Sequence, residues 1–231
     1  MKPYIIEAYT IPESWIRILD LCLREGREYT IERGSDVGHK RKEIDCVVIH
    51  IKMPWIRPLT ARVDGIEYAP SEQDIYNYYY NYVLDIGLRK LEDYDYTYGE
   101  RIKEQLGDIL HMLAFTPNTN QAIIRITKPE DIRLSHPPCM CLLQFKVINN
   151  KLICYTYFRS WDAFNGYPYN VPAIQLLKED ILTQVNKLRQ DEGKEPFLDG
   201  DIICFSSGLH LYDYEIEQAK EIVQKTLYKR R

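Results

Sequence analysis

A chain of 231 residues, 45% of them hydrophobic, holds enough apolar material for one large core, and its length asks for no second domain. A formal net charge of −4 excludes wholesale electrostatic binding of nucleic acid, while a few local arginines suffice for a small anionic ligand. No apolar run approaches the roughly 18 residues that span a bilayer. The N-terminus lacks a basic region followed by a sustained apolar stretch, and the six cysteines form neither a CxxC pair nor a Cys/His cluster with zinc spacing. The expectation is a reduced, cytoplasmic protein with no membrane or nucleic-acid partner and no metal.

Residues 13–25 place Ile16, Ile18, Leu19, Leu21, Cys22 and Leu23 along a helical apolar stripe that Gly26 ends. Residues 44–51 (IDCVVIHI) are β-branched and half alternating, which predicts a strand. Pro70-Ser71 opens a helix to about Leu84 with Ser71 as its N-cap. On it Tyr78, Tyr79 and Tyr80 half-bury their rings and keep their hydroxyls wet. Residues 99–112 read as an amphipathic helix and residues 122–126 as a strand. Two further strands, 141–147 and 152–158, flank Asn149-Asn150, a turn dipeptide that tolerates left-handed backbone. The longest apolar-periodic helix covers residues 171–188, with Pro172 in its first turn. A strand at 202–205 and a helix at 214–227 follow, and the Lys229-Arg230-Arg231 tail suits a helix C-terminus electrostatically. Strands and helices mix without a strict βαβ rhythm, so the expected class is α+β, one domain over residues 1–231 built on one sheet.

The chemistry concentrates between His136 and Asn170. Pro137-Pro138 fixes the backbone just before Cys139. A lone cysteine in apolar surroundings is ordinarily a packing residue. Arg159 changes that, because it follows one hairpin later and adjacent strands bring its guanidinium towards the sulfur. A neighbouring cation favours the thiolate, which is the nucleophile. Cys141, two residues on, shares a face with Cys139 in a regular strand. Arg159-Ser160 pairs a guanidinium with a hydroxyl, a combination suited to a phosphate monoester. Asn170 carries a donor and an acceptor and can read the N3–H and O4 edge of a uracil. Gly166 fits a place where a ligand or another backbone comes close.

In order and spacing, Cys139, Gln144, Arg159, Ser160, Asp162, Gly166, Pro168 and Asn170 resemble the signature of the thymidylate synthase family, in its short, archaeal-type form. His210-Leu211-Tyr212 and Tyr98-Gly99 match two further family motifs, and the likeness is strongest over residues 98–218. The resemblance implies a mixed sheet with helices over one face and the other face used for dimerisation. It implies reductive methylation of dUMP at C5 to dTMP, with Cys139 adding to C6. The co-substrate would be 5,10-methylenetetrahydrofolate or a methylenetetrahydromethanopterin, giving both methylene and hydride. Arg159 and Ser160 would hold the 5′-phosphate, Asn170 the base, and His210 and Tyr212 the ribose 3′-hydroxyl. Asp162 would bind the pterin, and Tyr98 and Gln144 would join the hydrogen bonds around the base and nucleophile, with Gly166 beside the substrate. A homodimer is implied as well.

Three departures from the family pattern stand out. Asn120-Gln121 occupies the place of two arginines donated across the dimer to the phosphate, and Arg33 or Arg125 is the candidate to compensate. The chain ends 19 residues after Tyr212, so the segment that closes over the pterin is expected to be absent. Met140 replaces a histidine, and the glutamate that acts on the base has only Glu67 and Glu72 as candidates. A site that admits water would capture the exocyclic methylene and give a hydroxymethyl product, the alternative enzyme reading. A further alternative is a nucleotide-binding protein without catalysis, for which the Asn120-Gln121 exchange speaks.

Overall fold

The computed structural model describes residues 2–34, 36–61, 68–86 and 96–228, so Glu67 and the Lys229-Arg230-Arg231 tail lie outside the described residues. In chain order the strands are β1 (Tyr4–Ala8), β2 (Arg27–Thr30), β3 (Lys40–Ile44), β4 (Val47–Ile51), β5 (Ile123–Arg125), β6 (Met140–Ile148), β7 (Lys151–Phe158), β8 (Trp161–Asp162), β9 (Leu198–Ser206) and β10 (Leu209–Tyr212). The helices are α1 (Ile11–Glu25), α2 (Glu72–Tyr78), α3 (Tyr98–Phe115), α4 (Tyr167–Asp191) and α5 (Ile216–Val223). A six-stranded mixed sheet runs β1-β4-β9-β7-β6-β5, and a four-stranded one runs β2-β3-β10-β8. The α+β expectation therefore stands, with the strands divided between two sheets.

Local chemistry sets the element ends. Thr10 caps α1 by accepting from the Glu13 amide, and Pro12 sits in the first turn, where its missing N–H costs nothing. At Gly26 a Cβ would lie 2.5 Å from the Cys22 carbonyl and 2.6 Å from the Lys42 side chain, so only glycine lets β3 pass this close. Asn149 and Asn150 adopt φ of 52° and 62° and close the β6–β7 hairpin with Ile148 opposite Lys151. Ser71 caps α2, whose last turn widens into a π-helical turn, Tyr79–Val83. The expected strand at 44–51 divides at Asp45-Cys46: β3 joins the small sheet and β4 the large one. The long helix starts at Tyr167 with Pro168 in its first turn, leaving Pro172 inside it. The only bond that Pro172 forgoes is to the Pro168 carbonyl, one turn from the helix start.

Alternation decides the faces of the large sheet. On β7, Leu152, Cys154, Thr156 and Phe158 are buried, while Ile153, Tyr155 and Tyr157 are half-buried on the other side. Helices α1, α3 and α4 pack over the buried face. Trp15 of α1 donates to the Ala163 carbonyl at 2.8 Å, and the Ser14 and Tyr167 hydroxyls meet at 2.6 Å. On the opposite face register aligns His50, Ile203, Tyr155, Gln144 and Ile123 in one row and Val48, Phe205, Tyr157 and Leu142 in the next. Among the described residues no helix is long and apolar enough to cross a membrane.

Candidate active site

The ends of β6, β7 and β8, the start of α4 and the small sheet converge on a cleft of about 1300 Å³. Cys139 reaches it at the end of a braced loop. Arg101 of α3 grips both carboxylate oxygens of Asp131 and the Ile126 carbonyl, and this buried pair fixes the turn Pro129–Arg133 ahead of the two prolines. Arg159 then closes the loop on itself. Its amide donates to the Cys139 carbonyl at 3.0 Å, Nε to the Pro138 carbonyl at 2.9 Å and Nη2 to the Pro137 carbonyl at 2.6 Å. That leaves Nη2 4.0 Å from the Cys139 sulfur. The thiol is open to the cleft but crowded by protein on its other sides, and this burial pushes its pKa up; the Arg159 and Arg41 guanidiniums oppose the rise.

Opposite the thiol, Asn170 is held at both ends of its amide. Trp161 Nε1 donates to Oδ1 at 2.9 Å, and Nδ2 donates to the Tyr78 hydroxyl at 2.8 Å. A Cβ on Gly166 would lie 2.9 Å from the Asp162 carbonyl, so the close approach expected there is that of the chain itself. Tyr98 is buried with its hydroxyl 3.5 Å from the Met140 amide, next in the chain to Cys139, and burial raises its pKa well above the ordinary value.

The small sheet supplies the other wall. His210 is 1% exposed; Nδ1 lies 2.9 Å from the Gly208 carbonyl, and Nε2 is buried without a hydrogen-bond partner among the described residues. The Gly208 carbonyl can only accept, so Nδ1 carries the proton and Nε2 is an acceptor. Burial, then Arg41, press the His210 pKa down to about 3, keeping it neutral. Arg41 lies opposite Tyr212 in the β3–β10 register, donates to its hydroxyl at 3.0 Å and faces the cleft. Asp162 Oδ1 accepts from the amides of Phe164 and Asn165, and the Asn165 side chain donates to Glu215 at 2.6 Å. Burial raises both carboxyls, and with the charge of Asp162 nearby Glu215 is pushed up to about 8.

Arg41, Trp161, Tyr78 and Asn165 are cleft residues that sequence reasoning did not find, and Glu215 behind them is another. The one available signal was the alternation of KRKEI, which places Arg41 and Glu43 on one face of a strand. Ser160 lines the cleft, and of the two arginines offered as compensation Arg33 does so too. Gln144 is not brought there: it sits midway along β6 on the outer face and donates to the Asn120 carbonyl at 2.9 Å. Cys141 also lies outside the lining, because the β6–β7 register shifts between Met140 and Leu142. Arg125, Asn120, Gln121 and Glu72 are exposed and likewise outside it. Among the described residues no His/Cys/Asp/Glu group could hold a metal ion.

A family model described as thymidylate synthase matches residues 63–230. Two similar proteins, from Methanosarcina barkeri and Methanosarcina mazei, bear the name "Putative thymidylate synthase". They are 29% and 28% identical over 227 residues, covering 95% of this chain and 94% of each relative. A "Thymidylate synthase" of Listeria monocytogenes is 33% identical over 203 residues, which is 87% of this chain and 59% of that protein.

Proposed function

Because this chain belongs to the thymidylate synthase family, a family of methyltransferases, we propose that it methylates dUMP at C5 to give dTMP, acting as a single-domain protomer of a homodimer. The observation that carries the reading is one convergence: a thiol, a guanidinium 4.0 Å from it and an oriented amide face a single cleft. Cys139 is the nucleophile that adds to C6, turning C5 into an enolate-like carbon, and it departs when the 5,6 double bond reforms. Arg159 favours its thiolate and, with Ser160, takes the 5′-phosphate. Arg33 and Arg41 supply positive charge in the same cleft, and Asn120-Gln121, at the place of the family's arginine pair, carries none. Neutral His210 accepts from the ribose 3′-hydroxyl through Nε2, beside Tyr212. Asn170 pairs with the uracil edge, and Tyr98 supports the backbone at the nucleophile.

The cleft also suits a reduced pterin. Asp162 offers it an acceptor carboxyl, Tyr78 and Tyr169 offer ring faces, and the volume exceeds that of a nucleotide alone. When bound, the reduced pterin supplies the one-carbon unit and the hydride. The test incubates the protein with dUMP and methylenetetrahydrofolate, alongside Cys139→Ser, with the nucleotide identified by mass. A methylated product lost in the variant is expected, and a second arm uses methylenetetrahydromethanopterin. A hydroxymethyl product moves the assignment to that sister reaction, and no product with either carrier overturns the enzyme reading.

A further inference from the structure

We propose that Trp161 and Tyr78 fix the flip of the Asn170 amide and thereby set the choice of uracil over cytosine, an inference that rests on Asn170 reading the base. An asparagine amide offers an acceptor and a donor side by side. Uracil presents a donor at N3 and an acceptor at position 4; cytosine presents the reverse. An amide free to turn by 180° satisfies either edge. Asparagine by itself therefore discriminates poorly, and some neighbour must hold it in one sense.

Here the neighbour is an indole. Trp161 Nε1–H only donates, so the atom it meets at 2.9 Å must be the amide oxygen. Nδ2 is thereby turned to the Tyr78 hydroxyl at 2.8 Å. Flipping the amide would set two donors head to head against the indole and break the bond as made, and a buried donor left unmade is the costly outcome. The indole cannot step aside. Trp161 is 1% exposed, stacked on Phe158 at 3.8 Å and packed on Tyr167 at 4.7 Å. Its backbone amide is also tied to the Gly208 carbonyl at 2.8 Å. Tyr78 is the softer half of the clamp, since a hydroxyl both donates and accepts.

One oxygen lone pair and one amide hydrogen of Asn170 remain for the base. With C6 placed against Cys139, the two flips select opposite pyrimidines, and the clamp admits one of them. Neither clamp residue needs to touch the pyrimidine, so in the choice of base both are positioning residues.

The experiment measures dUMP and dCMP affinity by calorimetric titration for wild type, Trp161→Phe and Tyr78→Phe, with near-ultraviolet circular dichroism to confirm each fold. Trp161→Phe keeps a ring in the stack and removes the N–H. The expected result is a wild-type preference for dUMP that falls about tenfold or more in Trp161→Phe, the loss of roughly one well-placed hydrogen bond, and by less in Tyr78→Phe. A purely structural role would weaken both nucleotides together and leave their ratio unchanged, and that outcome in the folded variants overturns the inference alone. Should Trp161→Phe not fold, the ratio in Tyr78→Phe decides. A wild type that binds neither nucleotide, or prefers dCMP, overturns the proposed function and this inference with it.

Discussion

At the scale of the residue, the cleft is governed by groups whose protonation is set by burial. Cys139 is raised by burial and lowered by Arg159 and Arg41. Alkylation by iodoacetamide, followed on the Cys139 peptide by mass, should therefore rise with pH to a midpoint above the ordinary thiol range. In Arg159→Gln that midpoint moves further up; an unchanged midpoint would show that the guanidinium does not act on the sulfur. His210 and Glu215 titrate with opposite signs. His210 has its pKa pressed below the ordinary value, so between about 3 and 6.5 the unfolded chain holds a proton that the folded one lacks, and stability falls as pH drops through that window. Glu215 is raised from 4.5 to about 8, so its folded form keeps a proton that the unfolded form loses, and stability falls as pH rises through that range. The two offset between 4.5 and 6.5, and above 6.5 His210 no longer contributes and the raised carboxyl of Glu215, beside that of Asp162, sets the slope. Urea unfolding should show about 1–2 kcal/mol of stability lost between pH 6.5 and 8. Glu215→Ala, though less stable throughout because Tyr212 and Asn165 lose an acceptor, should flatten that slope.

At the scale of the element, the brace between α3 and the turn at Pro129–Arg133 is what presents Cys139 to the cleft. Arg101 and Asp131 are both under a tenth exposed and share two hydrogen bonds, so removing one partner strands the other in the core. Arg101→Met should cost about 3–5 kcal/mol in urea unfolding, and Arg101→Met with Asp131→Leu much less than the sum of the two singles. A cost near zero would place the pair in solvent instead. Elements of this kind were legible where periodicity was long. The stripes of α1, α3 and α4 and the Asn-Asn hairpin each announce themselves over a dozen residues or by unusual backbone chemistry. The small sheet does not. Its strands are two to five residues long and β3 reads KRKEI, a charged segment with no apolar face of its own. It forms because Tyr212 and Leu209 of a distant strand pair with it, and no local pattern encodes that. Arg41 was missed for the same reason. Gln144 was misplaced because a motif gives spacing along the chain and not the face on which a side chain emerges. The thiol, Arg159 and Asn170 were found because the turn and cap chemistry that delivers them is contiguous in sequence.

At the scale of the whole molecule, the outer face of the large sheet is the feature left to explain. Ile5 is 73% exposed and Phe205 40%, and they share that face with half-buried Val48, Ile153, Tyr155, Tyr157 and Ile203. Interrupted by His50 and Gln144, these side chains still make a largely apolar surface, and the proposed homodimer would cover it with a second copy about a twofold axis. Sedimentation equilibrium should accordingly give twice the 27.4 kDa of one chain. Phe205→Asp puts an unpaired carboxylate in the middle of the face and should return the mass to that of one chain, because burying such a charge costs several kcal/mol. The same variant separates two ways of holding a phosphate. In the arrangement that the family resemblance implies, two arginines cross from the partner, and breaking the dimer removes them. In this chain those positions are Asn120 and Gln121, and the cations that line the cleft among the described residues, Arg33, Arg41, Lys128 and Arg159, belong to the same protomer. The monomeric variant should therefore keep its dUMP affinity within about tenfold of wild type, a difference of less than one charge-assisted hydrogen bond. A loss of a hundredfold or more on dissociation would mean that the partner contributes to the phosphate site after all, through residues other than an arginine pair.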